Sequence, residues 1–349
     1  MTAATICSSL SVAQALPRHL EAKGYKFDLK LPVDLAWVRG TNKLFFTEKA
    51  TGKIRVLDGR RLLRRPCANL DVNSSGERGA LGIALHPDFK HNRFLYVYYT
   101  NASPLQNRVT RFTVRGNRCR RPKHIVKGIP SPSTIHQGGQ LEFMKGNLFV
   151  SVGDGGNASN AQDLQSRLGK ILRYKPNGAI PRSNPFFQPG NRSPVWSYGH
   201  RNPFGLTHKP RTRVLIETEN GPQCDDEVNR IQKGRNYGWG AGYRCGTAGV
   251  GSNPKRPLHR WTPPIAPTDP AWYIGPLNAL TGALYVGDFN KGKLRRIDFG
   301  PGVRRVRKAR SIFESSRRIT DVAKGPDGCL YLATLSTIQR IQRKATNSC

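Results

Sequence analysis

His136, in HQGGQLEF, is the first residue that could move a proton, because imidazole changes charge near neutral pH. A lone histidine is more often structural, so its weight comes from the groups further along the chain. Arg201 and Asn202 stand before Pro203 in GHRNPFGL. A guanidinium beside an amide can hold a carboxylate or polarise a carbonyl oxygen. An arginine merely stacked on a loop carries about equal weight. Gly221-Pro222 offers two adjacent carbonyls at a tight turn, a ligand set for a hard cation. Asp225, Asp226 and Glu227 follow. Three adjacent carboxylates repel unless a cation or arginine neutralises them, which suggests a Ca²⁺ held by Asp226 or Glu227, in no EF-hand loop. Asp154 in GDGGN is a weak signal, since Asp-Gly turns are common. The P-loop, nucleophile-elbow and zincin motifs are all missing, which argues against those chemistries.

These residues need a framework, and the 349 residues allow one large all-β domain or two smaller ones. The 36 glycines and 25 prolines supply many turns. Lacking a run of about 18 apolar residues, the chain is expected not to span a membrane. Its N-terminus lacks a basic stretch before a mildly apolar one and reads as a mature or trimmed start. Lys+Arg 57 against Asp+Glu 22 gives +35, a charge that attracts polyanions. The densest clusters, Arg60–Arg65, Arg118–Lys123 and Arg304–Arg310, are spread along the chain, which favours a generally basic surface over one nucleic-acid site. None of the seven cysteines forms a CxxC pair. Cys224 with Cys245 is the expected disulfide, and the odd count leaves at least one thiol free or intermolecular.

One pattern recurs six times: an apolar strand, a Gly- or Asp-containing turn, a strong β-run, and a short strand ending near Arg-Ile. It starts at LPVDLAWV, ALGIALHPDF, QLEFMKGNLF, PFGLTHKPRT, LTGALYVGDF (a shorter unit) and ITDVAKGPDG. The runs alternate apolar and polar and are rich in Val, Ile, Tyr, Phe and Leu. Only Ala13–Lys23 and Ala161–Leu168 read as short helices. Units of about 40–60 residues, each too small to bury its own faces, predict an all-β six-bladed β-propeller over a β-sandwich. Its loops would gather at one central mouth. The expectation is a single domain over residues 1–349, with residues 1–30 as an extension packed on it.

The ordered motifs TEKATGKIRVLDG, SGERGALGIALHPDF, HQGGQLEF, VGDGGN, LGKILRY, GHRNPFGL, NGPQCDDEVNRIQKGRNYGW, GALYVGDFNKGKLRRI and ITDVAKGPDGCLYLAT resemble the soluble PQQ-dependent sugar dehydrogenases, the glucose/sorbosone dehydrogenase family. The propeller also resembles Hedgehog-interacting-protein-like domains. The likeness covers nearly the whole chain. It implies a propeller with PQQ across its mouth, His136 as the base taking the proton of the sugar C1 hydroxyl, and hydride transfer to the quinone. It implies Arg201 polarising the quinone oxygen with Asn202 beside it, and the carbonyls of Gly221 and Pro222 on the Ca²⁺ that bridges to PQQ. Asp226, Glu227 and the backbone near Tyr237 would hold a second, structural Ca²⁺. Glu77 and Asp154 would lie at the substrate, and Arg318 would contact a PQQ carboxylate.

Three positions depart from the family pattern. Ile135 stands where the best-studied type has Asp, and Thr320 replaces a second PQQ-binding Arg. Asn290 takes the place of a PQQ-binding Lys, with Lys291 adjacent as a substitute. Each lost charge-assisted contact to the three PQQ carboxylates should weaken binding by about 1.5–3 kcal/mol. The resulting expectation is a periplasmic or secreted quinoprotein that oxidises aldoses to lactones and passes electrons to an external acceptor. The alternative is a non-enzymatic basic propeller binding an anionic glycan or a protein partner. A propeller lactonase would need carboxylates and amides converging on the axis around Ca²⁺, whereas this mouth reads as Arg/His-rich.

Overall fold

The computed structural model describes residues 15–349, so Cys7 and the start of the expected first helix lie outside the described residues. Six antiparallel sheets, four-stranded apart from a short extra strand in the first, form a β-propeller, one sheet for each repeat. Their innermost strands are Pro32–Trp37, Ala80–Leu85, Leu141–Met144, Pro203–His208, Ala271–Tyr273 and Ile319–Lys324, which define blades 1 to 6. Blade 6 closes the ring: its three C-terminal strands are completed by Leu20–Lys26, which pairs with Ile338–Arg343. Leu20–Lys26 is therefore a blade strand and not part of a helix, because the open edge of blade 6 offers it backbone partners. The shorter fifth unit is also a full blade, whose inner strand lies upstream of the repeat.

Each sheet is sandwiched between two others, so both of its faces are buried. Strands such as Lys170–Tyr174 and Leu215–Glu219 are buried at every position. Apolar clusters fill the interfaces. Leu81, Tyr96 and Tyr98 of blade 2 meet Phe143, Val150 and Leu172 of blade 3. The interface of blades 3 and 4 has a smaller apolar cluster, including Phe149, Ile171, Leu206 and Tyr237. Beside it lie buried Ser197, His200, Glu217, Glu219, Glu227 and Asn229.

The expected helix at Ala161–Leu168 shrinks to one turn, Ser159–Gln162. The buried Lys170 Nζ donates to the carbonyls of Asn160, Ala161 and Leu168, which fixes that segment as a loop. Among the described residues there are three disulfides: Cys67–Cys119 links blades 1 and 2, Cys224–Cys245 ties the loops around blade 4 as expected, and Cys329–Cys349 pins the C-terminal segment to blade 6. The basic clusters fall at the outer edges of blades 1, 2 and 5, where charged side chains keep edge strands from pairing with other chains. No helix among the described residues is long and apolar enough to cross a membrane.

Candidate active site at the axial mouth

The N-terminal ends of the inner strands open into a cavity of about 470 Å³ on the axis, lined among others by Lys49, Glu77, Asn202, Asn220, Phe289, Asn290 and Thr320. His136 stands beside it, just before blade 3, with φ 56°. That left-handed conformation is uncommon for a residue bearing a Cβ. Gly153 permits it, since an added Cβ there would lie 2.0 Å from the His136 carbonyl oxygen.

His136 Nδ1 lies 2.6 Å from Asp154 Oδ1. A carboxylate only accepts, so Nδ1 carries the proton, and Nε2 presents a lone pair. Nε2 makes no hydrogen bond among the described residues, and the side chain is 10% exposed. Asp154 is 1% exposed and also accepts from Gly156 N–H (2.7 Å) and Trp239 Nε1–H (2.7 Å). Asp154 therefore sits behind the histidine and orients it. Asp154 is not among the cavity-lining residues, and its oxygens accept from His136, Gly156 and Trp239.

Glu77 lines the cavity and joins the two key segments. Its Oε2 accepts from His136 N–H (2.8 Å) and from Asn202 Nδ2–H (3.1 Å). Glu219 anchors the other side, where Oε1 accepts from the N–H groups of Arg201 and Asn202 (2.5 and 2.8 Å), and Oε2 pairs with His200 Nδ1 (3.0 Å). Arg201 Nη1 donates to Asn220 O (2.9 Å), and its guanidinium lies over Trp239 at 5.5 Å. Arg201 Nε is buried without a partner, an orphan donor beside the cavity. Burial lowers the Arg201 pKa, opposed by Asp154, Glu219, Glu77 and Asp226.

Other candidates are less central. Arg318 is exposed and stacks on Phe289 at the rim, 5.0 Å from the ring centroid. Asn290 lines the cavity and donates to Pro264 O, whereas Lys291 is exposed and does not line it. Thr320 lines the floor, with Oγ1 donating to Pro32 O at 2.7 Å. Lys49, which sequence reasoning missed, supplies an additional cation: its Nζ donates to Ser74 O and Gly76 O, and burial lowers its pKa. Its place between a buried strand end and a Gly turn was the available signal.

The three adjacent carboxylates resolve their repulsion by facing two sides: Asp225 and Glu227 share the Arg260 guanidinium, and Asp226 turns to backbone donors. Burial works against the charge of Asp225, yet donors from Gly246 and Tyr243, with Arg260 nearby, hold its pKa below the ordinary value. Asp226 accepts from Gly221, Ile265 and Ala266 N–H, and burial raises its pKa to about 6. Glu227 lies on the opposite face of the same strand and contacts Asn229 and Arg260; burial raises it to about 7. Asp226 and Glu227 therefore do not share one ion, because successive strand residues face opposite ways. Glu217 was missed by sequence reasoning and lies within 4.8 Å of Glu219 and His200. It is fully buried with neither oxygen hydrogen-bonded, and burial followed by Glu219 pushes its pKa well up.

The donor sets fit the two cations and the anionic cofactor of the resemblance. The half-buried Gly221 and Pro222 have carbonyls that accept no hydrogen bond among the described residues, and the same holds for the Tyr237 carbonyl. Orphaned Glu217, close to Glu219 and with Glu227 nearby, is a carboxylate pattern that a hard cation satisfies. The orphan Arg201 donor and Lys49 suit an anion with carbonyl oxygens.

Fold and geometry together describe a six-bladed propeller with a candidate active site at its axial mouth. The profile of the family described as Glucose / Sorbosone dehydrogenase matches residues 29–343, and the chain belongs to that family of sugar dehydrogenases. It is 30% identical to aldose sugar dehydrogenase YliI of Escherichia coli, over 94% of this chain and 93% of that protein. It is 27% identical to quinoprotein glucose dehydrogenase B of Acinetobacter calcoaceticus, over 95% of this chain and 88% of that one. The PQQ-bound aldose sugar dehydrogenase of Streptomyces coelicolor superimposes with TM-score 0.80 at 29% identity, covering 94% of this chain and 99% of that one.

Proposed function

We propose that this protein oxidises the C1 hydroxyl of aldoses to the lactone with PQQ and Ca²⁺, and passes the electrons to an external acceptor. The observation that carries the reading is His136, with Nδ1–H held by buried Asp154 and Nε2 left free at the mouth. Nε2 takes the hydroxyl proton, and Asp154 stabilises the imidazolium that forms. Glu77 fixes the His136 backbone and the Asn202 amide together, which sets the direction of approach. Arg201, its guanidinium held over Trp239 beside Asn202, would polarise the acceptor oxygen, and Lys49 and Arg318 would add positive charge around the cofactor carboxylates. Bound PQQ supplies the electrophilic quinone carbon that accepts the C1 hydride as the lactone carbonyl forms. The Gly221 and Pro222 carbonyls would hold the Ca²⁺ at the cofactor, and Glu227, Glu217 and the Tyr237 carbonyl the structural one. Three disulfides support an oxidising compartment, periplasm or exterior.

The test is reconstitution of the apo-protein with PQQ and Ca²⁺, followed by dye reduction with a panel of aldoses, with His136→Ala alongside. Sugar-dependent reduction that requires PQQ and falls about 10²–10⁴-fold in His136→Ala supports the reading. Failure to bind micromolar PQQ, combined with salt-sensitive retention on heparin, would overturn it in favour of a non-enzymatic basic propeller.

A further inference from the structure

Beneath the floor of the mouth, the channel narrows around Asp34, Asp269 and Asp321 of blades 1, 5 and 6. In each blade the preceding residue (Val33, Thr268 or Thr320) lines the upper cavity, so the aspartates form the layer directly below it. Each uses one oxygen to accept a backbone N–H from another blade. Asp34 takes that of Ile83 (2.6 Å), Asp321 that of Leu35 (2.9 Å) and Asp269 that of Leu206 (2.8 Å). Oxygens of all three lie within 4.8 Å of one another.

These carboxylates are poorly compensated. Asp34 and Asp321 are 5% and 1% exposed, and Asp321 Oδ1 is buried with no hydrogen-bond partner. No ion pair among the described residues reaches any of the three, in a chain with 57 lysines and arginines. Burial raises Asp34 to about 7, and burial with mutual repulsion raises Asp269 and Asp321 well above the carboxylate range. Buried like charges persist only when neutralised by protons or by a cation. A void of about 10 Å³ adjoins Asp34 and Asp269, with the Gln140 amide on its wall. Asp269 is partly open to a larger cavity at the opposite end of the channel, which provides an entry path.

We propose that Asp34, Asp269 and Asp321 form an axial binding site for a hard divalent cation, Ca²⁺ by preference, that clamps blades 1, 5 and 6 beneath the mouth. Oxygen ligands about 2.3–2.6 Å from Ca²⁺ span the observed separation across one ion. The three blades flank the ring closure, where Leu20–Lys26 completes blade 6, so the ion would tie the ends of the chain together across the axis. This site shares no residue with Gly221, Pro222, Glu217 or Glu227.

The test uses the full chain without PQQ, dialysed against Ca²⁺ and analysed for bound metal, beside Asp321→Asn and Asp269→Asn. The expected result is that each variant holds about one Ca²⁺ fewer per chain than wild type. Ca²⁺ over EDTA should also raise the unfolding temperature more in wild type than in either variant. A Mn²⁺-soaked crystal should show an anomalous peak between the three carboxylates. Equal metal content in wild type and both variants, with unfolding temperatures in EDTA unchanged or raised by the amides, would show that the triad is merely protonated and overturn the site. Should Asp321→Asn fail to fold, Asp269→Asn and the anomalous map decide the question.

Discussion

Asp154 accepts three hydrogen bonds, from His136, Gly156 and Trp239. An asparagine replaces one of the two oxygens with a donor and so breaks at least one of them, freeing the imidazole to adopt the wrong tautomer. Asp154→Asn is expected to lower kcat about 10²–10⁴-fold with PQQ binding retained and KM for the sugar little changed. Steady-state kinetics with a parallel PQQ absorbance titration measures both, and a kcat near wild type would remove Asp154 from the mechanism. Arg201 is equally specific. Lysine in its place cannot present a planar fork to both Asn220 O and an acceptor oxygen. Arg201→Lys should therefore weaken PQQ binding more than sugar binding, and the same two titrations show whether the order is reversed.

At the scale of elements, the loop before blade 3 and the Gly153 turn hold each other in place. Gly153→Ala would drive a Cβ into the His136 carbonyl region, with its oxygen and carbon at 2.0 and 2.4 Å. The expected cost is about 1–3 kcal/mol from overpacking, together with loss of activity as His136 is displaced. Urea unfolding alongside turnover checks this, and an active, equally stable variant would refute it. Lys170 fixes the neighbouring loop at the expense of a buried amine. Burial lowers its pKa to about 7, against about 10.4 in an unfolded chain. Between those values the unfolded chain holds a proton that the folded one lacks, so this group makes stability rise with pH across the window. Its destabilising contribution is fully present below about pH 7. Urea midpoints at several pH values should rise more steeply in wild type than in Lys170→Met, and parallel slopes would contradict the assignment.

For the whole molecule, the ring closes in blade 6, where an N-terminal strand completes three C-terminal ones. Cys329–Cys349 spans 20 residues there, and loop-closure entropy assigns it about 3 kcal/mol. A Cys329→Ala/Cys349→Ala double variant should lose about that much stability in urea, and an unchanged midpoint would mean that strand pairing alone closes the ring. The +35 charge has a simple structural setting. Its densest clusters decorate separate outer edges of blades and do not converge on the mouth.

The repeat was legible in the chain because period-2 alternation and turn residues are local, and each of six runs carries its own copy. His136, Arg201, Asn202 and Glu77 were also legible, each marked by a distinctive motif, and the structure gathers them at one mouth. The blade interfaces and the axis were decided by tertiary structure alone. Alternation shows that Asp226 and Glu227 face opposite sides, but not that Glu217 waits on one side and backbone donors on the other. Nothing local in VDL, TDP or TDV announces that Asp34, Asp269 and Asp321 will meet, because their proximity arises only when the ring closes and brings blades 1, 5 and 6 around one axis.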